Sequence, residues 1–233
     1  MSNRRKIKNN NKNQIKEKSS IILEDKYPNG KLKKRYIIKN IDNERGANLV
    51  NENGKLRAQV IIKDGRIEEY YENGQIKQRV NYKDGKLDGI AETWYDNGQI
   101  WERLTIKNGK RDGIVEAWYY DGNQLNRLNY KNDELDGLAE EFHENGKIMS
   151  RTNYKNGEIN GLCEEWYPTG KVYYIGHYKN GLREGDVAWF YENGNLDERA
   201  HFKNGERDGL TEKFDETGKL VASITYKDGI ELD

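Results

Sequence analysis

The chain holds a single cysteine, Cys163, so it can form no intramolecular disulfide and build no multi-cysteine metal cage. That usage suits a reducing compartment, and a cytoplasmic location is the expectation. Proline is nearly absent, at two residues in 233. Long hydrophobic runs are missing too. The longest aliphatic stretch is Ile21-Ile22-Leu23, against roughly 20 residues for a membrane-spanning helix and about 7 to 15 for a signal-peptide core. Neither export nor a membrane helix is signalled. Neither sign of charge prevails, since 40 Lys and Arg balance 40 Asp and Glu, so no global field gathers nucleic acid and none is expected as a partner. Leu, Ile, Val and Phe make up only about one residue in five, near the floor below which a highly charged chain stays disordered. No segment carries apolar residues at helical spacing for three turns. Order has to come from another source.

That source is spacing. Gly74, Gly98, Gly122, Gly146, Gly170, Gly194 and Gly218 stand 24 residues apart. Gly85, Gly109, Gly157, Gly181, Gly205 and Gly229 keep the same step, with Asp133 in the one vacant slot, and Asn or Asp usually precedes each glycine. Asn-Gly and Asp-Gly supply the positive φ of a type I′ hairpin corner. The unit is then two turns and two strands, and it closes into an antiparallel meander. Counting turns from Asn29-Gly30 to Asp228-Gly229 gives about eighteen strands and a single-layer all-β sheet on the order of 85 Å long, open and curved or twisted. Asp64-Gly65 reads as a further corner, which leaves the next strand four residues short and sets Tyr71 opposite Ile76. Near Gly122 the order Tyr120-Asp121-Gly122-Asn123 leaves the local register undecided.

The array is expected over residues 25–230, with 25–53 as degraded capping units because Ile41 and Arg45 stand where glycines belong. Residues 1–24 hold seven Lys or Arg against two Glu and read as a basic, disordered leader.

Turn positions fix register, so partners across Asn97-Gly98 have numbers summing to 195. Glu92 then faces Arg103, and by the same rule Glu116 faces Arg127 and Glu140 faces Arg151. Trp94 would face Trp101, Phe142 would face Met149, and Trp166 would face Tyr173. One face thus alternates ion pairs with aromatic rows. The other collects Ala91, Leu104 and a ring column of Tyr82, Tyr130, Tyr154, Tyr178, Phe202 and Tyr226, and is the more apolar. A third glycine series, from Gly89 through Gly113, Gly137, Gly161 and Gly185 to Gly209, falls inside strands, where glycine is costly. Rings lying over the bare backbone, and the need of a long sheet to bend, are the expected reasons.

The stretch Tyr82-Lys83-Asp84-Gly85-Lys86-Leu87-Asp88-Gly89, followed by Glu92, Trp94-Tyr95 and Asn97-Gly98, resembles the MORN repeat in its bacterial variant. Tyr154 through Tyr167 and Phe202 through Phe214 repeat it. The resemblance implies the meander fold. It is similar to YwqK-type antitoxins of toxin-antitoxin pairs, which implies a protein partner such as a cognate toxin. Eukaryotic relatives imply association with membranes and phosphoinositide kinases. No kinase activity is expected, because the chain has no Walker loop, no glycine-rich nucleotide turn and no Asp-Phe-Gly triplet.

Other candidate chemistry yields to structural readings. His177 opposite Glu184 and His201 opposite Asp208 would make two polar pairs, but each leaves a metal under-coordinated and has no nucleophile beside it. Cys163 stands where other units carry Ala91, Val115 and Ala139, which marks it as a packing residue. No catalytic residue, metal or cofactor is expected, and the chain reads as a non-enzyme. A single layer leaves rings uncovered unless Lys and Arg stems lie on them. Trp94, Trp101, Trp118, Phe142, Trp166, Tyr173, Arg103, Arg127 and Arg151 are therefore the candidate partner-binding set. The alternative partner is anionic lipid, held by the basic leader.

Overall fold

The computed structural model describes residues 19–41 and 63–232. Among them nineteen strands and no helix form one open antiparallel sheet, in which strands adjacent in the chain are adjacent in space. Two of the nineteen, Lys86–Leu87 and Glu134–Leu135, are short pieces split from the strands after them by Asp88 and Asp136. The all-β meander is as the repeat dictates. Its first strand, Ser19–Lys26, begins inside the segment read as leader, because Ile22 and Leu23 find partners in Ile37 and Tyr36 across the corner at Asn29-Gly30. The rest of that leader, and residues 42–53 of the degraded units, lie outside the described residues.

Asp64-Gly65 is not a hairpin corner. The strands Leu32–Ile41 and Gly65–Tyr70 pair directly, with Gly65 between Ile38 and Tyr82 in mid-sheet. Gly65 stands 24 residues before Gly89, so it heads the series inside strands, and no strand is shortened. Lys63-Asp64-Gly65 looks like the corner Lys83-Asp84-Gly85 but occupies the place of Leu87-Asp88-Gly89.

The two turn series differ in kind. At Asn108-Gly109 both residues have positive φ, 52° and 84°, which makes the two-residue type I′ corner. Around Gly98 only the glycine does, at 88°. There the Gly98 N–H donates to Tyr95 O at 3.1 Å and the Tyr95 N–H to Gln99 O at 2.8 Å, closing a three-residue loop of a type I turn and a glycine bulge. The bulge breaks the sum rule at its last step. Glu92 pairs with Arg103, but Trp94 pairs with Ile100 rather than Trp101. Likewise Phe142 pairs with Ile148, Trp166 with Val172 and Tyr70 with Ile76, not with Met149, Tyr173 or through Tyr71. Near Gly122 the register is regular, because Tyr119 and Asn123 bond as Tyr95 and Gln99 do, and Trp118 pairs with Gln124.

The glycines inside strands sit where the ladder slips. Tyr82 pairs with Leu87, but three residues further back Arg79 pairs with Glu92, leaving Asp88 to Ala91 to absorb extra length. The backbone answers with positive φ at Gly89 and its counterparts, and a side chain from the facing strand mends the gap. Asn81 Nδ2 donates to Ile90 O at 2.6 Å and Asn153 Nδ2 to Leu162 O at 3.0 Å. Asn81, Asn129 and Asn153, with Thr105 and His201 in the same place at Gly113 and Gly209, and not the rings of the tyrosine column, are what approach the bare glycines.

One sheet edge is stitched turn to turn. Tyr95 Oη donates to Trp118 O at 2.9 Å, and Tyr71, Tyr119, Tyr167 and Tyr191 make the same bond 23 residues onward. His143 takes this role through Nε2 on Trp166 O, which fixes its tautomer as the donor there. At the other edge Gly109 N reaches Leu87 O and Asn108 N reaches Asp88 Oδ2. Asp133, in its glycine slot with φ 76°, is held by Arg111, whose backbone N–H donates to Asp133 Oδ1 at 2.9 Å.

Burial follows from the faces. The row Ala91, Val115, Ala139, Cys163, Val187 and Thr211 is buried in the middle of the more apolar face, and Cys163, Tyr174, Val187, Ala200 and Phe202 pack as one cluster. Thr211 is the misfit of that row, with its hydroxyl buried and without a hydrogen-bond partner. Thr211→Val should therefore stabilise the protein by about 1 kcal/mol, seen as a higher denaturant midpoint with an unchanged slope.

Candidate interaction surface

The opposite face is organised by charge. Its middle row runs Glu24, Arg35, Glu68, Arg79, Glu92, Arg103, Glu116, Arg127, Glu140 and Arg151, acid and base on successive strands. Arg103 bridges Glu92 at 3.1 Å and Glu116 at 3.7 Å, Arg127 reaches Glu116 at 3.9 Å, and Arg151 holds Glu140 at 3.0 Å. Each link is worth little alone, but a slide of any strand would part its acid from the bases on both sides, so the row enforces register. Alternation continues as far as Glu164, which pairs with Arg151 in the ladder.

One member is more than a surface charge. Glu68 is 4 % exposed, and its carboxylate takes Arg66 at 3.2 Å, Arg79 at 3.4 Å, Arg35 at 3.7 Å and the Tyr70 hydroxyl at 2.8 Å. Removing it would leave three guanidinium groups facing one another. Glu68→Ala should cost about 2 kcal/mol, because the arginines remain partly solvated, and Glu68→Gln, which still accepts from Tyr70, should cost less; chemical denaturation of both variants measures the difference.

The guanidinium groups also cover the rings. Arg79 lies 5.3 Å from the centroid of Trp94, Arg103 5.7 Å from Trp118 and Arg151 5.8 Å from Trp166. Seven of the candidate residues, Trp94, Trp118, Phe142, Trp166, Arg103, Arg127 and Arg151, thus share one face in two adjoining rows. Trp101 and Tyr173 do not join them by direct pairing. The turn bulge turns each against the tyrosine that opens its loop, Trp101 to Tyr95 at 6.3 Å and Tyr173 to Tyr167 at 5.2 Å, and both stay exposed.

A third row on this face was not singled out by sequence. Ile90, Ile114, Leu138, Leu162 and Leu210 recur at the repeat step, each facing Thr105, Asn129, Asn153, His177 or Thr225. Ile90 and Leu210 are each 49 % exposed and Ile114 36 %. Recurrence of aliphatics at the 24-residue step on the charged face, interrupted by Asp186, was the available signal.

The ladder breaks at Ile175 and Ala188, which stand where Arg and Glu would. There the face opens into a groove of about 750 Å³ floored by Ile175, Ala188 and Leu210 and rimmed by His177, Asp186 and His201. The expected histidine pairs are not made. His201 Nδ1 meets Asp186 at 2.8 Å on the preceding strand, Asp208 takes Lys227 at 3.0 Å, and Glu184 accepts from the Asn204 N–H. The slip at Gly185 and Gly209 moves each carboxylate away from the residue the sum rule assigns. No group of three or more metal-binding side chains occurs among the described residues. Cys163 is buried, contacts Thr152 Oγ1 at 3.3 Å, and burial pushes its thiol above the ordinary cysteine range, as suits packing rather than nucleophilic attack.

Six segments, 63–84, 87–108, 135–156, 159–180, 183–204 and 207–228, match the MORN repeat variant and together cover more than half of the chain. The unmatched stretch between 108 and 135 contains Tyr120 and Asp133, the two departures from the turn pattern. No curated protein matches the chain significantly.

Proposed function

Since the chain belongs to the MORN repeat variant family, and such repeats mediate protein or membrane contacts, we propose that it is a non-enzymatic scaffold whose charged face holds a protein partner. The observation that carries this reading is the aliphatic row of Ile90, Ile114, Leu138 and Leu162, resumed at Leu210 past Asp186 and exposed at Ile90, Ile114 and Leu210, lying beside arginines that stack on tryptophan and uncovered by any second layer among the described residues. An aliphatic stripe flanked by Arg and Trp has the composition of an interface centre with its polar rim. The finer reading is an antitoxin, with a toxin as the partner. Co-expression with the product of the adjacent gene tests it. A co-purified complex and rescued growth support it, and both should be lost in Ile90→Glu/Ile114→Glu, whose exposed side chains leave the melt unchanged. Failure to co-purify and to rescue rejects the antitoxin role.

The seven basic residues ahead of Asp25 favour anionic lipid as the second reading. Co-sedimentation with anionic vesicles at physiological salt that requires residues 1–18 would support it. Absence of pelleting by the full chain would remove it.

A further inference from the structure

The apolar face carries a pattern of filled and unfilled positions. Across each two-residue corner the ring column meets a partner, with Tyr178 beside Arg183, Phe202 beside Arg207, Tyr130 beside Leu135 and Tyr154 beside Ile159. Where that partner is arginine, its guanidinium lies over the rings. Arg183 stands 5.5 Å from the centroid of Phe202 and 5.7 Å from Trp189, and Arg207 stands 5.6 Å from Phe202 and 5.7 Å from Tyr226. Arg207 also pairs with Glu198.

Where the partner is Leu135 or Ile159 the same space has no guanidinium. It is a groove of about 400 Å³, bounded by those two aliphatics, the rings of Tyr154 and Tyr178, and the carboxylates of Glu141 and Glu165. Glu141, Ser150 and Glu165 stand side by side on three successive strands, in the row that reaches Glu198 three strands on, through Tyr174 and Trp189. Ser150 Oγ donates to Glu141 at 3.1 Å, and neither carboxylate forms an ion pair among the described residues. Burial, reinforced by the charge of Glu141, raises the Glu165 carboxyl above its ordinary range, while Arg183 pulls it the other way. Two carboxylates lining one groove with the rings of Tyr154 and Tyr178, the second of which has Arg183 6.0 Å from its centroid, at a position where this same sheet elsewhere seats an arginine, define the complement of a cation.

We propose that this groove binds the guanidinium of an arginine side chain presented by a protein partner, in the space that Arg183 and Arg207 fill in their own repeats. Arginine fits better than lysine because a planar fork can stack on a tyrosine face while meeting carboxylates edge-on. The site lies on the face opposite the aliphatic row and stands whether or not that row binds a partner.

The test titrates the full chain with the blocked tripeptides Gly-Arg-Gly and Gly-citrulline-Gly, followed by methyl NMR of Leu135, Met149 and Ile159. The arginine peptide should shift these signals with a Kd of about 1 mM, as expected of so small a ligand, and citrulline, isosteric but uncharged, should not. Glu141→Gln/Glu165→Gln should weaken binding about tenfold without lowering the melt, since the substitution removes a like-charge contact. Ile159→Arg should fold, seat its own guanidinium in the groove and abolish the peptide shifts. Equal shifts from citrulline, binding that survives Ile159→Arg, or an Ile159→Arg chain that no longer folds would each overturn the proposal.

Discussion

Gly65→Ala is expected to cost about 4 kcal/mol, with the loss confined to one end of the array. Gly65 has φ +148°, and an added Cβ would meet the backbone of the neighbouring strand, striking Ile37 O and lying 3.0 Å from Ile38 Cα. A side chain could swing aside, but a carbonyl held in the ladder between Leu32–Ile41 and Gly65–Tyr70 cannot move without breaking it. In a quasi-one-dimensional array each strand is held by its neighbours alone, so a fault at one junction frees the strands beyond it. Hydrogen exchange should show lost protection in Leu32–Ile41 and Gly65–Tyr70. All five tryptophans lie beyond residue 93, so the unfolding midpoint read by tryptophan fluorescence should barely move. A fluorescence midpoint that falls as far as the exchange protection would mean that the array unfolds as one cooperative unit.

Gly137→Val acts in the middle of the sheet and should be felt throughout. Gly137 has φ +114°, a conformation that a β-branched residue adopts only under strain, and its new Cβ would lie 3.2 Å from Asn129 Cβ. Asn129 cannot give way freely, because its side-chain amide donates to Leu138 O across the slip in the ladder. The cost is about 3 kcal/mol, which for a chain of this length lowers Tm by about 6–12 °C. Gly137→Asn, which tolerates positive φ, should lose less. An unchanged melt for the valine variant would show that the backbone can rearrange around this position.

Both glycines lie inside strands yet follow Asp, as several corner glycines do, and an Asp-Gly pair alone does not tell the one place from the other. Lys63-Asp64-Gly65 satisfies every local rule for a hairpin corner. It becomes a strand residue because Leu32–Ile41 supplies the partner that the preceding corner would have supplied. The expected facing of Trp94 with Trp101 failed for a related reason. Asn-Gly is compatible with a two-residue corner and with a three-residue loop, and the second inserts one residue that flips the side chains next to it. Register further from the corner survived, since the strand ladders are long enough to fix it, and Glu92, Glu116 and Glu140 meet the arginines assigned to them. The histidines were lost to the second irregularity, the slip at Gly185 and Gly209, and Asp186 was not among the candidates. Of the nine residues offered for binding, seven stand together on one face, and Trp101 and Tyr173, each the second residue of its strand and left out of the pairing where the register shifts after the turn, do not.

Period and alternation are local properties of a chain, and they alone decided here that the protein is a meander of β-strands, which residues share a face, and that acid meets base along one row. The tertiary structure decided where the ladders slip, which rings leave their row at the turns, how tyrosines tie each corner to the next, and which array positions are left without an arginine. Those outcomes turn on single hydrogen bonds between neighbouring backbones, where two local conformations of nearly equal energy compete and only the adjoining strand breaks the tie.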